Sequence, residues 1–288
     1  MRLKKWVVLA CLVGTVSCGV EEDPSSGDQI TVVASFYPLA FVAGEVGGDL
    51  IEVDNLTPAG AEPHGVELTA SQVRALASAD LVLYLGSGFQ PSVEDAVGTI
   101  EGQAVDALAT QPGATGDSGF DPHVWLDPQR TASIVRLVRD RFAAVDPDHA
   151  ATYERNADRV EARLDALDRA YRDGLAGCER DAIVTSHEAF GHLAGAYGLH
   201  HIGISGIDPE AEPSPQGLTK AVEFVNERRL TTVFFEVLMP PVVAETLADE
   251  TGARIARLNP IESPPRSGDY FTAMRANLDE IREGLGCE

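Results

Sequence analysis

The sequence is poor in positive charge. Its 22 Lys and Arg face 45 Asp and Glu, a net charge of −23 at neutral pH, and a surface of that sign repels a phosphate backbone, which excludes nucleic acid as a partner. Long hydrophobic runs are short of what a membrane span needs. The apolar stretch from Trp6 to Val16 is too brief for a bilayer and has the length of a secretory signal's core, with Arg2, Lys4 and Lys5 ahead of it. Cysteine is scarce. Of four, Cys11 and Cys18 fall within or at the end of this leader. The remaining pair, Cys178 and Cys287, is in an exported chain most simply a disulfide, with two buried thiols or a thiolate metal site as the alternatives. What is left is ordinary for a globular protein, 44% hydrophobic and 23% charged, and 288 residues suit two domains better than one core.

The leader ends at Thr15-Val16-Ser17-Cys18, which resembles a bacterial lipoprotein signal with a small residue before the cysteine to be acylated. Residues 1–17 are then a signal peptide and residues 18–29 a tether, its Gly19–Asp28 stretch polar and without apolar pattern. Acylation of Cys18 would hold the protein at the outer face of the cell membrane. Thr15 stands where leucine is usual, so cleavage to a free periplasmic protein is the alternative. Loss of residues 1–17 removes three basic side chains and no acid, taking the net charge to −26. Such a surface reads either as solubility and long-range repulsion or as a means of concentrating cations, and charge alone does not choose between them.

Along the mature chain, apolar β-branched runs alternate with helical stretches. Ile30–Phe36, Ile51–Leu56 and Asp80–Leu85 read as strands, with helices at Leu39–Val46 and Ala70–Ser78, the second opened by the capping-box spacing of Thr69 and Gln72. This β-α-β alternation predicts a parallel sheet with right-handed crossovers. The segment Asp106–Phe120 reads as a surface loop. Two helices follow, Thr131–Ala144 and about His149–Arg172, and in the second Tyr153, Ala157, Val160, Leu164, Leu167 and Tyr171 form one apolar stripe. A coiled-coil seam is the plain reading of such a stripe. Its position between two alternating halves favours a helix that crosses from one lobe to the other. The second half repeats the alternation, with strands at Ala182–Ser186, His200–Ser205, Thr232–Val237 and Ala253–Leu258, and helices at Phe190–Tyr197, Pro215–Glu227, Val242–Thr251 and Tyr270–Leu285.

Three histidines occupy restrained loops on this scaffold. His64 follows the second strand, at the carboxyl end where open α/β sheets bind ligands, and His187 has the same place after Ala182–Ser186. His123 lies in Asp121-Pro-His-Val-Trp-Leu-Asp-Pro128, where two prolines hold the imidazole in a stiff extended turn. Taken singly, each is more often structural than functional. His187-Glu-Ala-Phe-Gly-His192 misses the zincin pattern, because a five-residue step leaves the two rings about 140° apart on a helix. Glu188 and His192 therefore read as an ordinary helix-start acid and as packing. His149 falls in the first turn of the linking helix, and His200 and His201 flank a strand start. Trp125 and Phe190 are expected to pack beneath the site.

Taken together, Pro63-His64 with its capped helix, Asp121–Pro128, Val184-Thr-Ser-His-Glu-Ala-Phe-Gly191 and Tyr270-Phe-Thr-Ala-Met-Arg-Ala-Asn-Leu278 resemble the zinc- and manganese-binding receptors of bacterial ATP-driven importers. The resemblance runs from about Ile30 to Gly286. It implies an α/β fold of two lobes, each with a mainly parallel four-stranded sheet flanked by helices, joined by one long rigid helix: residues 30–147, a linking helix at 148–175, and residues 176–288. It implies a monomeric binding protein, not an enzyme, that delivers metal to a membrane permease and its ATPase. His64, His123 and His187 would be ligands. The fourth place aligns with Asn259, a poor substitute for a carboxylate, so that water, Glu262 or Asp269 would be its replacement. Three imidazoles with at most one oxygen favour Zn²⁺ over Mn²⁺, although Asp106–Asp121 lacks the histidine-rich loop of some zinc-specific relatives. Because imidazole ligates only when neutral, affinity is expected to fall below about pH 6.5. The rivals are the same fold serving manganese or iron, a zinc-dependent hydrolase, and an adhesion or metal-buffering lipoprotein.

Overall fold

The computed structural model describes residues 29–100, 102–112, 120–209, 211–237 and 241–288. The signal peptide, Cys18 and the tether up to Asp28 lie outside them. The first half builds one parallel sheet of β1 (Ile30–Ala34), β2 (Ile51–Asn55), β3 (Leu81–Tyr84) and β4 (Ala104–Asp106) in the order β2-β1-β3-β4. Helix α1 (Tyr37–Gly47) links the first two strands, α2 (Ala70–Ser78) the next pair, and α3 (Pro91–Val97) the last. The capping box forms as its spacing predicts, the Gln72 amide donating to Thr69 Oγ1 and the Thr69 amide to Gln72 Oε1. β4 and α3 are two short elements without a clear period, and the sequence reading passes over both.

The second half carries parallel pairs β5 (Ala182–Thr185) with β6 (His200–Gly203), and β7 (Thr232–Glu236) with β8 (Arg254–Leu258). The inner strands β5 and β7 lie side by side. Among the described residues no ladder joins them, so the expected four-stranded sheet is here two two-stranded ladders. Around them run α6 (Gly191–Ala196), α7 (Pro215–Glu227), α8 (Val242–Thr251) and α9 (Tyr270–Leu285).

Between the halves stand α4 (Pro128–Val145) and α5 (Ala150–Gly174). The 25 residues of α5 make a rod of about 37 Å. All six residues of the apolar stripe, Tyr153 to Tyr171, are buried, and they join the cluster that contains the first-half core and the inner side of α9. Each large member contributes on the order of 1.5–3 kcal/mol by leaving water. The polar side of the rod also holds both halves. Arg163 donates to Glu45 of α1 and to Asp269 at the start of α9, at 2.7 and 2.6 Å, with its guanidinium stacked 3.9 Å over Phe271. His149 lies in a 3-10 turn, Pro147–His149, just ahead of α5 rather than inside it. At the far end of the second half Cys178 and Cys287 form the disulfide, tying the end of α9 to the segment that enters β5.

Candidate metal centre

Parallel strands place all their carboxyl ends on one edge, and each half turns that edge toward the other. His64 lies on the loop after β2, His123 on the loop after β4, His187 just past β5, and Glu262 just past β8. Their donor atoms fall within 4.8 Å of one another. His123 Nε2 and His187 Nε2 are 3.3 Å apart. Glu262 Oε1 is 3.5 Å from His64 Nε2, 3.5 Å from His123 Nε2 and 3.7 Å from His187 Nε2. A tetrahedral ion with bonds near 2.0–2.1 Å has ligand-to-ligand edges of about 3.3–3.4 Å. These four edges are close to those of one such ion, and the remaining two are no longer than 4.8 Å.

The group is dry. His123, His187 and Glu262 are 2% exposed or less and His64 9% by side chain. Glu262 Oε1 and His64 Nε2 are buried without a hydrogen-bond partner, and buried polar atoms left so are costly unless something else satisfies them. A divalent cation would satisfy both.

Each imidazole is aimed from behind. The Asp121 carboxylate takes both the amide and the Nδ1–H of His123, at 3.0 and 2.7 Å. Its own backbone carbonyl accepts from His192 Nε2 across the lobes at 2.8 Å, which gives the residue expected as packing an orienting contact. Asp127, the second acid of the motif, caps α4 by accepting from the Gln129 amide. The intervening Val124–Leu126 is a 3-10 turn rather than extended chain. The buried Glu236 at the end of β7 accepts the His187 amide at 2.9 Å and meets His187 Nδ1 with its other oxygen. Carboxylates behind ligating histidines fix the tautomer and raise the basicity of the facing nitrogen. His64 is set by its loop: Glu62 accepts the His64 and Gly65 amides, Gln90 donates to the Pro63 carbonyl, and the Phe89 ring lies 4.6 Å from the imidazole. Gly203 lets β6 pass close behind His187, where a Cβ would sit 2.5 Å from the His187 carbonyl carbon.

Charge is arranged to match. Burial works against a charged His187, but the Glu236 and Glu262 carboxylates outweigh it and push its pKa up to about 10. His123 is likewise raised, with burial opposed by Asp121 and Glu262. His64 is lowered, because burial there exceeds the help from Glu262. Glu262 is held well below the usual carboxylate range, its burial overcome by the three histidines. Glu62 is pushed up to about 7 by burial and by the Glu262 charge.

At the fourth position the structure brings Glu262 to the histidines. Asn259 is not part of the group: its Oδ1 accepts the Ile261 amide at 2.8 Å and its backbone is cradled by Asn277. Asp269 is spent on capping α9 and on Arg163. Glu262, named as one of the replacements, stands with the histidines. His201 is half-buried, bonded to Thr185 and lowered to about 4 by burial, outside the group. His200 is exposed and away from it. Trp125 packs against His123 as expected, with ring centres 5.1 Å apart, whereas Phe190 is buried against His201. Glu236, Glu62, Gln90 and Phe89 escaped the sequence reading; the one available signal was an acid closing the apolar strand Thr232–Phe235. A cavity of about 320 Å³ adjoins the group, and of the four donors only His64 lines it.

Fold and site define a two-lobed α/β protein able to hold one divalent metal ion between its lobes. The chain belongs to the family described as the periplasmic component A of the zinc-uptake complex, ZnuA, whose model matches residues 32–284. It is similar to the high-affinity zinc uptake system protein ZnuA of Bacillus subtilis, 31% identical over 98% of each chain. It is 32% identical to the zinc-binding lipoprotein AdcA of Streptococcus pneumoniae over 95% of its own length, and spans 59% of that longer relative. Among solved structures, the Zn(II)-bound ZnuA-like domain of that organism's AdcA aligns over 90% of this chain and 99% of the domain, at 33% identity with a TM-score of 0.76.

Proposed function

We propose that the protein captures Zn²⁺ outside the cytoplasmic membrane through His64, His123, His187 and Glu262, and delivers it to a membrane permease driven by an ATPase. The observation that carries this reading is the set of edges around Glu262 Oε1, 3.5, 3.5 and 3.7 Å to three imidazole nitrogens, close to those of tetrahedral zinc. Two donors come from each lobe, so the ion cross-links the lobes and its loss frees them to separate. Four protein donors fill the tetrahedron and leave no open vertex for a water nucleophile, which favours binding over hydrolysis. The relatives named for zinc binding and for zinc uptake support the same cargo.

The lipid anchor at Cys18 and the lobe boundaries 30–147, 148–175 and 176–288 belong to this proposal. The large negative charge would draw cations toward the cleft. The test is zinc titration of the purified protein beside His64→Ala, His123→Ala and His187→Ala. One ion per chain, with each variant weakened by about 100-fold or more, supports the reading; titrations unchanged by all three substitutions overturn it. A second reading, manganese as cargo, has one observation behind it: Glu62 Oε1 lies 3.9 Å from His64 Nε2 and offers a further oxygen, which manganese prefers. Metal content after purification without chelator separates the two.

A further inference from the structure

The donor whose position is hardest to account for locally is Glu262. It follows Ile261, whose φ of 59° puts a β-branched residue in the left-handed region, a strain that surrounding contacts must offset. Within the second lobe the turn is closed by Asn259 and Asn277. Two further ties come from the first lobe. The indole N–H of Trp125 donates to the Pro260 carbonyl at 2.7 Å, fully buried, and the Gly60 amide donates to Ser263 Oγ at 2.6 Å. These ties sit two residues before and one residue after the carboxylate.

Trp125 is itself fixed. Its backbone carbonyl accepts from Tyr270 Oη at 2.6 Å and from Thr131 Oγ1 at 3.1 Å, and its ring packs on Phe36 and Phe89. Tyr270 belongs to the second lobe, so this indole of the first lobe is tied across at two points, its carbonyl held by Tyr270 and its N–H holding the strained turn.

We propose that Trp125 is a positioning residue which, through its N–H on the Pro260 carbonyl, holds Glu262 in ligating position, so that lobe separation withdraws the carboxylate and releases the ion. This rests on the zinc-binding reading of the site. When the lobes part, Pro260 loses its donor, Ile261 is free to leave the left-handed region, and the one anionic donor moves away from the three histidines. Entry and exit of metal are then coupled to lobe angle through Trp125, with the Gly60–Ser263 bond beside it.

The experiment is a double-mutant cycle on zinc affinity and dissociation rate, with Trp125→Phe and Glu262→Gln singly and together. Because Phe leaves a void, a second protein carries β-(3-benzothienyl)alanine in place of tryptophan, which keeps the bicyclic shape and lacks the N–H. Both replacements are expected to weaken zinc by about tenfold in the Glu262 background, mostly through faster dissociation, and by less than about twofold in the Glu262→Gln background. Equal losses in the two backgrounds would show that Trp125 acts on His123 or on the fold at large and would overturn the proposal. So would an unchanged affinity with the benzothienyl residue. Failure of the unaltered protein to bind zinc would instead sink the reading of the site.

Discussion

The raised imidazoles make a prediction that separates this site from three ordinary histidines. The perturbation is pH, and the quantity is the number of protons released when zinc binds. In the metal-free fold His187 is held up to about 10 and His123 is raised, while His64 is lowered. The proton that must leave is the one on Nε2, since Nδ1–H stays with Glu236 or Asp121. At pH 7 His187 gives up nearly one proton, the raised His123 adds to it and the lowered His64 adds least. At pH 8.5 His187 still releases nearly one. Three rings near the ordinary value of about 6.5 would together release about 0.7 of a proton at pH 7 and almost none at pH 8.5, so the higher pH separates the two cases. With a pKa near 10, proton competition at pH 7 weakens apparent affinity by about a thousandfold relative to the fully deprotonated site. The structure thus moves the expected window of pH dependence from below about 6.5 up toward 10. The raised His187 stabilises the metal-free fold fully below 6.5 and loses that contribution as pH rises through 10, the reverse of what zinc requires. Calorimetry in buffers of different ionisation enthalpy measures the release directly. A value indistinguishable from zero at pH 8.5 would refute the charge assignment.

Further outcomes follow from the same geometry. Glu262→Gln should weaken zinc by more than the 10–100-fold typical of outer-shell changes, whereas Asn259→Ala should lower thermal stability and affect affinity less; competition titration and thermal melts compare the two. Asp121→Asn should cost 10–100-fold in affinity with the ligands intact, and an unchanged dissociation constant would show that His123 needs no carboxylate behind it. Leu164→Ala, in the middle of the buried stripe, should cost about 2–5 kcal/mol, measured by urea unfolding. Replacing Cys178 and Cys287 by serine opens a bridge spanning 109 residues and should cost about 2–5 kcal/mol of stability. Zinc affinity should hold, since the bridge lies at the amino end of β5 and His187 at the other.

Much of this molecule was legible where the signal is local. The six-residue stripe of α5 and the Thr69 capping box depend on spacings within one helix, and both appear as their spacings predict. Asp121 and Asp127 frame His123 within eight residues, close enough for the motif to show in the chain. The fourth donor was not legible in the same way. Whether Asn259 or Glu262 faces the histidines depends on Ile261 at φ 59°, a conformation that a β-branched side chain disfavours and that contacts from both lobes sustain. Glu236 reaches His187 from a strand 49 residues further along, and His192 reaches Asp121 over 71. No short pattern records such pairings. β4, three residues long, is held by its partner β3 more than by any alternation of its own.

The central claim concerns one ion and four atoms. A crystal structure of the zinc-loaded protein, with anomalous differences collected at the zinc edge, tests it most directly. The account predicts a single peak about 2.0–2.2 Å from His64 Nε2, His123 Nε2, His187 Nε2 and a Glu262 carboxylate oxygen. A peak bound elsewhere, or one that leaves Glu262 or any of the three imidazoles outside the coordination sphere, would contradict it.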